Sequence, residues 1–427
     1  MAAAGTKWRR ATAPLRTNFA KHAGMLSGGQ FVAAAVSILA APILGRLYLP
    51  ADYGVLAGYM AIASVLSSVA NWQYSMAIIV EASDRRAHAL VWLSIYASAC
   101  TSVVAGAIGI GLFFWSRAGH AESAAVWFLV LPATVMAAGT AAAWSALANR
   151  LSLYKTLAAS QTLSSALTVG LSIALGSAHW GASGLMIAYF AGQFYFLLVY
   201  GRVWLSIPRP PHPSSRQLWA LARRHRHFAM WTTPSQFFSQ FSMQVPTYLL
   251  GYANSLTLIG GFTRGRQLLL LPLGLIGSSI GQVFRQRASV DLAREGNCMG
   301  LYRKVSLGLL VLGLPPTLLL MAIAPWLFAT FLGPNWTIAG QVARILAPML
   351  LLQLICSPVS SVMLIVGRQA EDFWLQAGFG VLTLVIAAIP LALGWPVIYV
   401  IVGYAMAESV MYLTYIVRCA QLAGRPH

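Results

Sequence analysis

The chain has 427 residues, of which 58% are hydrophobic and 9% charged, and its mean hydropathy is +0.70. That composition excludes an ordinary water-soluble globule and points to a polytopic membrane protein. The formal net charge of +19 would suggest nucleic acid as the partner of a soluble protein, but in a membrane chain its distribution over the loops carries the information, and no nucleic acid is expected.

The apolar stretches are long enough to cross a bilayer as helices, and no alternating strand pattern suggests a barrel, so the expected class is all-α. Segment 1–24 carries Lys7, Arg9, Arg10, Arg16 and Lys21 ahead of an apolar run. The run is as long as a span and is followed by further spans, so it reads as an uncleaved first helix, not a signal peptide. About twelve spans follow from the apolar runs between polar breaks: 25–47, 53–74, 90–115, 124–148, 157–176, 184–204, 228–252, 256–284, 305–327, 338–366, 373–393 and 397–417.

With the N-terminus inside, only Arg46, Arg117, Arg264, Arg266 and Arg344 of the 28 Lys and Arg fall outside the cytoplasmic segments. This asymmetry places both termini, including the tail 418–427, on the cytoplasmic side. The longest polar segment, 205–227, contains IPRPPHPSSRQ and then RRHRH. It divides the chain into two six-helix halves, 25–204 and 228–417. The basic cluster is what topology alone would produce, and it also suits anionic headgroups or a partner. Asp52-Tyr53-Gly54 opens the second span and Ile259-Gly260-Gly261 the eighth, which fits an internal repeat. Asp52 reads as a helix N-cap.

Charges inside spans are costly and face a partner, a wet cavity or the headgroups. Arg266 precedes Arg285 by roughly 28 Å of helix, close to a hydrocarbon thickness, and Arg264 lies on a different face from Arg266. Both suit either snorkelling to the outer interface or a cationic lining for an anionic substrate. Arg46 and Arg344 fall toward the same side, and convergence of these arginines would make a basic cavity suited to diphosphate oxygens. In the seventh span Gln236, Gln240 and Gln244 recur every fourth residue beside a stripe of Ser235, Ser239 and Ser242. One face is therefore wet or packed against another helix. Glu408 sits about 15 Å along the helix from Arg418, near the midplane, where it would either exchange a proton or hold a fixed bond to a neighbour.

Catalysis finds little support, because the outer loops are short and hold only Asp52 and Glu122 as acids. Cys100, Cys298, Cys356 and Cys419 show neither paired spacing nor histidine neighbours. No disulfide framework, metal site or cofactor is implied.

The segment ILGRLYLPADYGVLAGYMAIASVLSSVANWQYSMAIIVEASDRRA resembles the opening signature of the bacterial polysaccharide flippases, within the multidrug, oligosaccharidyl-lipid and polysaccharide exporter superfamily. LLLLPLGLIGSSIGQVFRQRA and FLGPNWTIAGQVARILAPMLLLQLICSPVSSVMLIVGRQ are similar to that family's later segments, in order. The resemblance implies two pseudo-symmetric six-helix lobes around a central cavity in the bacterial inner membrane. It also implies alternating access and movement of an undecaprenyl-diphosphate-linked oligosaccharide to the periplasmic leaflet for O-antigen, capsule or exopolysaccharide export, alongside a polymerase and other assembly proteins. Arg46, Asp52, Gly54 and Arg266 fall on the family's pattern. A multidrug-type exporter is the near alternative, although cationic drugs call for carboxylates, and a membrane glycan polymerase or ligase would need a larger outer loop.

Overall fold

The computed structural model describes residues 31–117, 122–206 and 212–424. The basic segment 1–24, the first residues of the first span, positions 207–211 of the linker and 425–427 of the tail lie outside the described residues.

Among the described residues all regular structure is helical. The chain runs α1 (Phe31–Leu47), α2 (Pro50–Val69), α3 (Tyr74–Val80), α4 (Asp84–Trp115), α5 (Glu122–Phe128), α6 (Leu131–Arg150), α7 (Tyr154–Ser177) and α8 (Gly181–Ser206). It continues through α9 (Ser215–Arg224), α10 (Thr233–Tyr252), α11 (Leu256–Glu295), α12 (Met299–Leu332), α13 (Thr337–Val359), α14 (Ser361–Ile365), α15 (Gln369–Ala392) and α16 (Tyr399–Ala423). Among the described residues nine helical stretches are long and apolar enough to cross a membrane. Together with α1, α10 and α11 they account for the expected twelve. Helix α10 falls short of that hydropathy because it carries the glutamines and serines singled out above.

The boundaries differ from expectation in three places. The fourth span is broken into α5 and α6, with Pro132 in the first turn of α6. Helix α11 has 40 residues, about 60 Å at 1.5 Å per residue, so its basic end at Arg285, Arg287 and Arg294 extends well past a hydrocarbon layer. Asp52 is not the residue that caps α2. It lies in the first turn and accepts a 2.9 Å hydrogen bond from the Leu49 backbone N–H, satisfying a donor that the helix start would leave free.

Helix association in lipid rests on close packing and interhelical hydrogen bonds, since lipid tails are as apolar as leucine. The crossing of α2 and α11 illustrates both. Gly54 and Gly260 let the two backbones touch at the end where these helices begin. Nearby, the buried Trp336 Nε1 donates a 2.7 Å bond to the Gly45 carbonyl, joining α1 to the turn before α13. One buried cluster joins Ala57 of α2 to Val245, Phe262, Leu346 and Tyr404 of α10, α11, α13 and α16. A second joins Leu44 and Tyr48 to Phe328 and Leu332.

At the opposite end, the turn between α3 and α4 is a hub built on Glu81, whose side chain is 2% exposed. Its carboxylate meets Arg86 at 3.1 Å, His225 at 3.0 Å and Arg224 at 3.9 Å. Arg150, from the end of α6, donates to the carbonyls of Ile78, Glu81 and Ala82 and pairs with Asp84 at 2.7 Å. The chain is thus tied to this turn immediately before it enters α10.

Candidate functional site

Parts of the two polar stripes of α10 face different spaces, as i, i+3, i+4 spacing allows for residues on adjoining faces. Ser239 and Ser242 line a cavity of about 550 Å³ within the second half of the chain. Gln244 and Thr247 line another of about 520 Å³, bounded also by Ala34 of α1 and by Phe262, Thr263, Gln267 and Leu270 of α11. Among the described residues no carboxylate lines the second cavity. Gln244 also donates a 3.2 Å hydrogen bond to Ser64 of α2, so this residue both packs and faces open space. Gln236 and Gln240 are half-buried and line neither cavity.

Arg266 lines both cavities. Its guanidinium carbon lies 5.9 Å from the ring centres of Phe262 and Tyr404, and Nη1 makes a long 3.4 Å contact to the Met243 carbonyl. Its Nε is buried without a hydrogen-bond partner among the described residues. An arginine left with free donors between two cavities has capacity for an incoming acceptor.

Arg264 is placed differently. It is buried, stacks over Tyr53 at 4.9 Å and donates from Nη1 to Gln267 Oε1 at 3.1 Å, while Nε and Nη2 lack partners. It lines neither cavity. Arg46 is exposed beside Gly333, and Arg344 is exposed with one bond to the Ala322 carbonyl at 3.2 Å. The four arginines therefore do not converge on one cavity. Spacing along a helix sets their depth, whereas neighbouring helices set which way each side chain points.

Glu408 is buried in the wall of the 550 Å³ cavity, 3.5 Å from the Thr383 hydroxyl and within the electrostatic reach of Arg266. Tyr412 and Asp372 share that wall, and Tyr415 donates to Asp372 at 2.9 Å. The spacing Tyr404, Glu408, Tyr412 places three polar groups on one face of α16, a signal available in the sequence but overlooked in favour of the acid alone. Groups of three or more metal-ligating side chains are absent among the described residues.

Residues 43–341 match the family model described as polysaccharide biosynthesis protein. Among solved structures the chain resembles the lipid II flippase MurJ in an inward closed conformation, with a TM-score of 0.72 at 13% identity over 93% of this chain and 87% of that one. It also resembles a multidrug resistance MATE transporter of the MOP superfamily in an outward-facing conformation, with a TM-score of 0.56 at 16% identity over 95% and 97%. A third is a MOP superfamily transporter from Pyrococcus furiosus, described as having a binding pocket of reverse polarity, with a TM-score of 0.55 at 16% identity over 95% and 97%. No curated protein matches the chain. The fold is that of MOP superfamily transporters, and the chain belongs to the polysaccharide biosynthesis protein family.

Proposed function

We propose that the chain is a flippase for undecaprenyl-diphosphate-linked oligosaccharides, moving them from the cytoplasmic to the periplasmic leaflet for surface polysaccharide export. The observation that carries this reading is the 520 Å³ cavity, which combines Arg266 with Gln244, Thr247, Thr263 and Gln267 and has no carboxylate in its wall. Guanidinium donors suit diphosphate oxygens, and amide and hydroxyl groups suit a sugar. The barrier removed is that of drawing a hydrated glycan through hydrocarbon; the lipid tail never leaves the bilayer.

In this reading the two halves, 25–204 and 228–417, rock about the Gly54 crossing, and both termini face the cytoplasm of a bacterial inner membrane. Arg266 holds the diphosphate, with Arg46, Arg264 and Arg344 attracting the anion from farther off. Glu408 exchanges a proton as the halves move. The carboxylates Glu408 and Asp372 in the neighbouring cavity supply the best case for the second reading, an exporter of cationic compounds.

Binding separates the two. Affinity of the purified protein for an undecaprenyl-diphosphate-linked sugar and for a lipophilic drug cation would be measured with wild type and Arg266→Gln. The flippase reading predicts tight binding of the diphosphate only, weakened at least about tenfold by the substitution. Cation binding that Arg266→Gln leaves intact or strengthens would support the exporter.

A further inference from the structure

Helix α9 lies between the two halves and has two faces of different chemistry. At 100° per residue, Leu218, Leu221 and His225 fall on one side, while Arg216, Trp219 and Arg223 fall on the other. The first side is seated: Leu221 is buried, α9 packs on α4, and His225 reaches Glu81. Just ahead of the helix, His212 is held by α4, with ring centres 4.4 Å apart from Trp92 and a 3.4 Å contact to the Tyr96 hydroxyl. The segment is therefore pinned at both ends, and the orientation of α9 is fixed.

The other side is unpartnered. Arg216, Arg223 and Arg226 are exposed, and Trp219 is 66% exposed with the Arg223 guanidinium 5.6 Å from its ring centre, whereas Arg224 turns toward Glu81 at 3.9 Å. Helix α9 contains no acid. Flanking it in the chain are the exposed apolar residues Leu205, Met230 and Trp231, at the end of α8 and ahead of α10. With α8 and α10 read as spans, the chain on either side of α9 leaves and re-enters the bilayer here, which in this reading puts α9 near the level of the headgroups.

We propose that this face of α9 docks on anionic phospholipid headgroups, with Trp219 inserted at the interface and Arg216, Arg223 and Arg226 on the phosphates. Three observations select that occupant. The charge is wholly positive, a fixed tryptophan lies among the arginines as in interfacial anchors, and exposed apolar residues flank the segment in the chain on both sides. A protein partner would need to share this strip with the bilayer edge. Because the seated side bears on Glu81, headgroup binding would also steady the turn from which α10 departs.

The test uses the full chain in vesicles of phosphatidylcholine with one fifth phosphatidylglycerol, the bromine label being on one lipid or the other. Trp219 emission is taken as the difference between wild type and Trp219→Phe. Quenching by brominated phosphatidylglycerol should exceed its share of the lipid, and the preference should fall about fivefold for each arginine removed, as in Arg216→Gln and then Arg216→Gln/Arg223→Gln. Raising salt on the wild type should abolish the preference without any substitution. Quenching in proportion to lipid composition would overturn headgroup recognition. Absence of quenching by either lipid would overturn docking on the bilayer altogether and leave the face to a protein partner.

Discussion

Gly54 and Gly260 lie in the first turns of α2 and α11 and each faces the other helix's backbone: a Cβ on Gly260 would fall 1.7 Å from the Pro50 carbonyl oxygen, and one on Gly54 2.1 Å from that of Leu256. Neither obstacle is a side chain that can rotate away. The contact closes one end of the space between these helices, and each glycine is the fifth residue of its helix.

Gly260→Ala is therefore expected to force α2 and α11 apart and to destabilise the protein by about 1–3 kcal/mol, the usual cost of overpacking. Gly58→Ala is the control, since nothing lies within 4 Å of that position on the same helix. Spin labels at residues 49 and 255, with Cys100 replaced, should report a longer distance for Gly260→Ala and an unchanged one for Gly58→Ala. Equal distances in both variants would show that the crossing yields without cost.

The Glu81 hub makes a prediction about acid. Burial alone would raise the Glu81 carboxyl, but the His225 hydrogen bond, the Ser83 N–H, Arg86 and Arg224 together hold it below its ordinary value. A carboxyl lowered in the folded state contributes stability that is fully present above its unfolded value, about 4.3, and disappears as pH falls through the folded value. Glu81→Gln should lower the melting temperature at pH 7, and the gap to wild type should close as the pH falls below about 4.3. A gap that persists in acid would assign the loss to packing.

If Glu408 exchanges a proton during transport, Glu408→Gln should flatten the pH dependence of translocation while leaving affinity for the diphosphate-linked lipid within about threefold of wild type. Thr383→Val, which removes the hydroxyl 3.5 Å from Glu408, should shift that dependence and preserve it. An unchanged pH profile in Glu408→Gln would make the acid a fixed structural partner.

Much of this architecture is written in local patterns. Apolar runs located the spans, the serines and glutamines of α10 marked one face as wet or packed against another helix, and the glycine-bearing starts of α2 and α11 stood out together. Local pattern did not distinguish Arg264 from Arg266. One stacks on Tyr53, more than two hundred residues earlier, and the other faces open cavity, a difference set by which helices pack beside α11. Glu81 was likewise invisible as a hub, because its partner His225 lies 144 positions away in a linker read only for its charge. Arg46 and Arg344 are exposed and line neither cavity, an orientation that spacing along their own helices does not determine.

The most direct test is leaflet-resolved translocation in sealed vesicles of known orientation, loaded with an undecaprenyl-diphosphate-linked repeat unit and followed with a membrane-impermeant sugar-binding probe. Wild type should move the glycan to the opposite leaflet. Arg266→Gln, inserted at the same level, should slow that movement at least about tenfold. Movement at the wild-type rate in Arg266→Gln would remove this arginine from the mechanism, and no protein-dependent movement with any repeat unit would contradict the flippase reading itself.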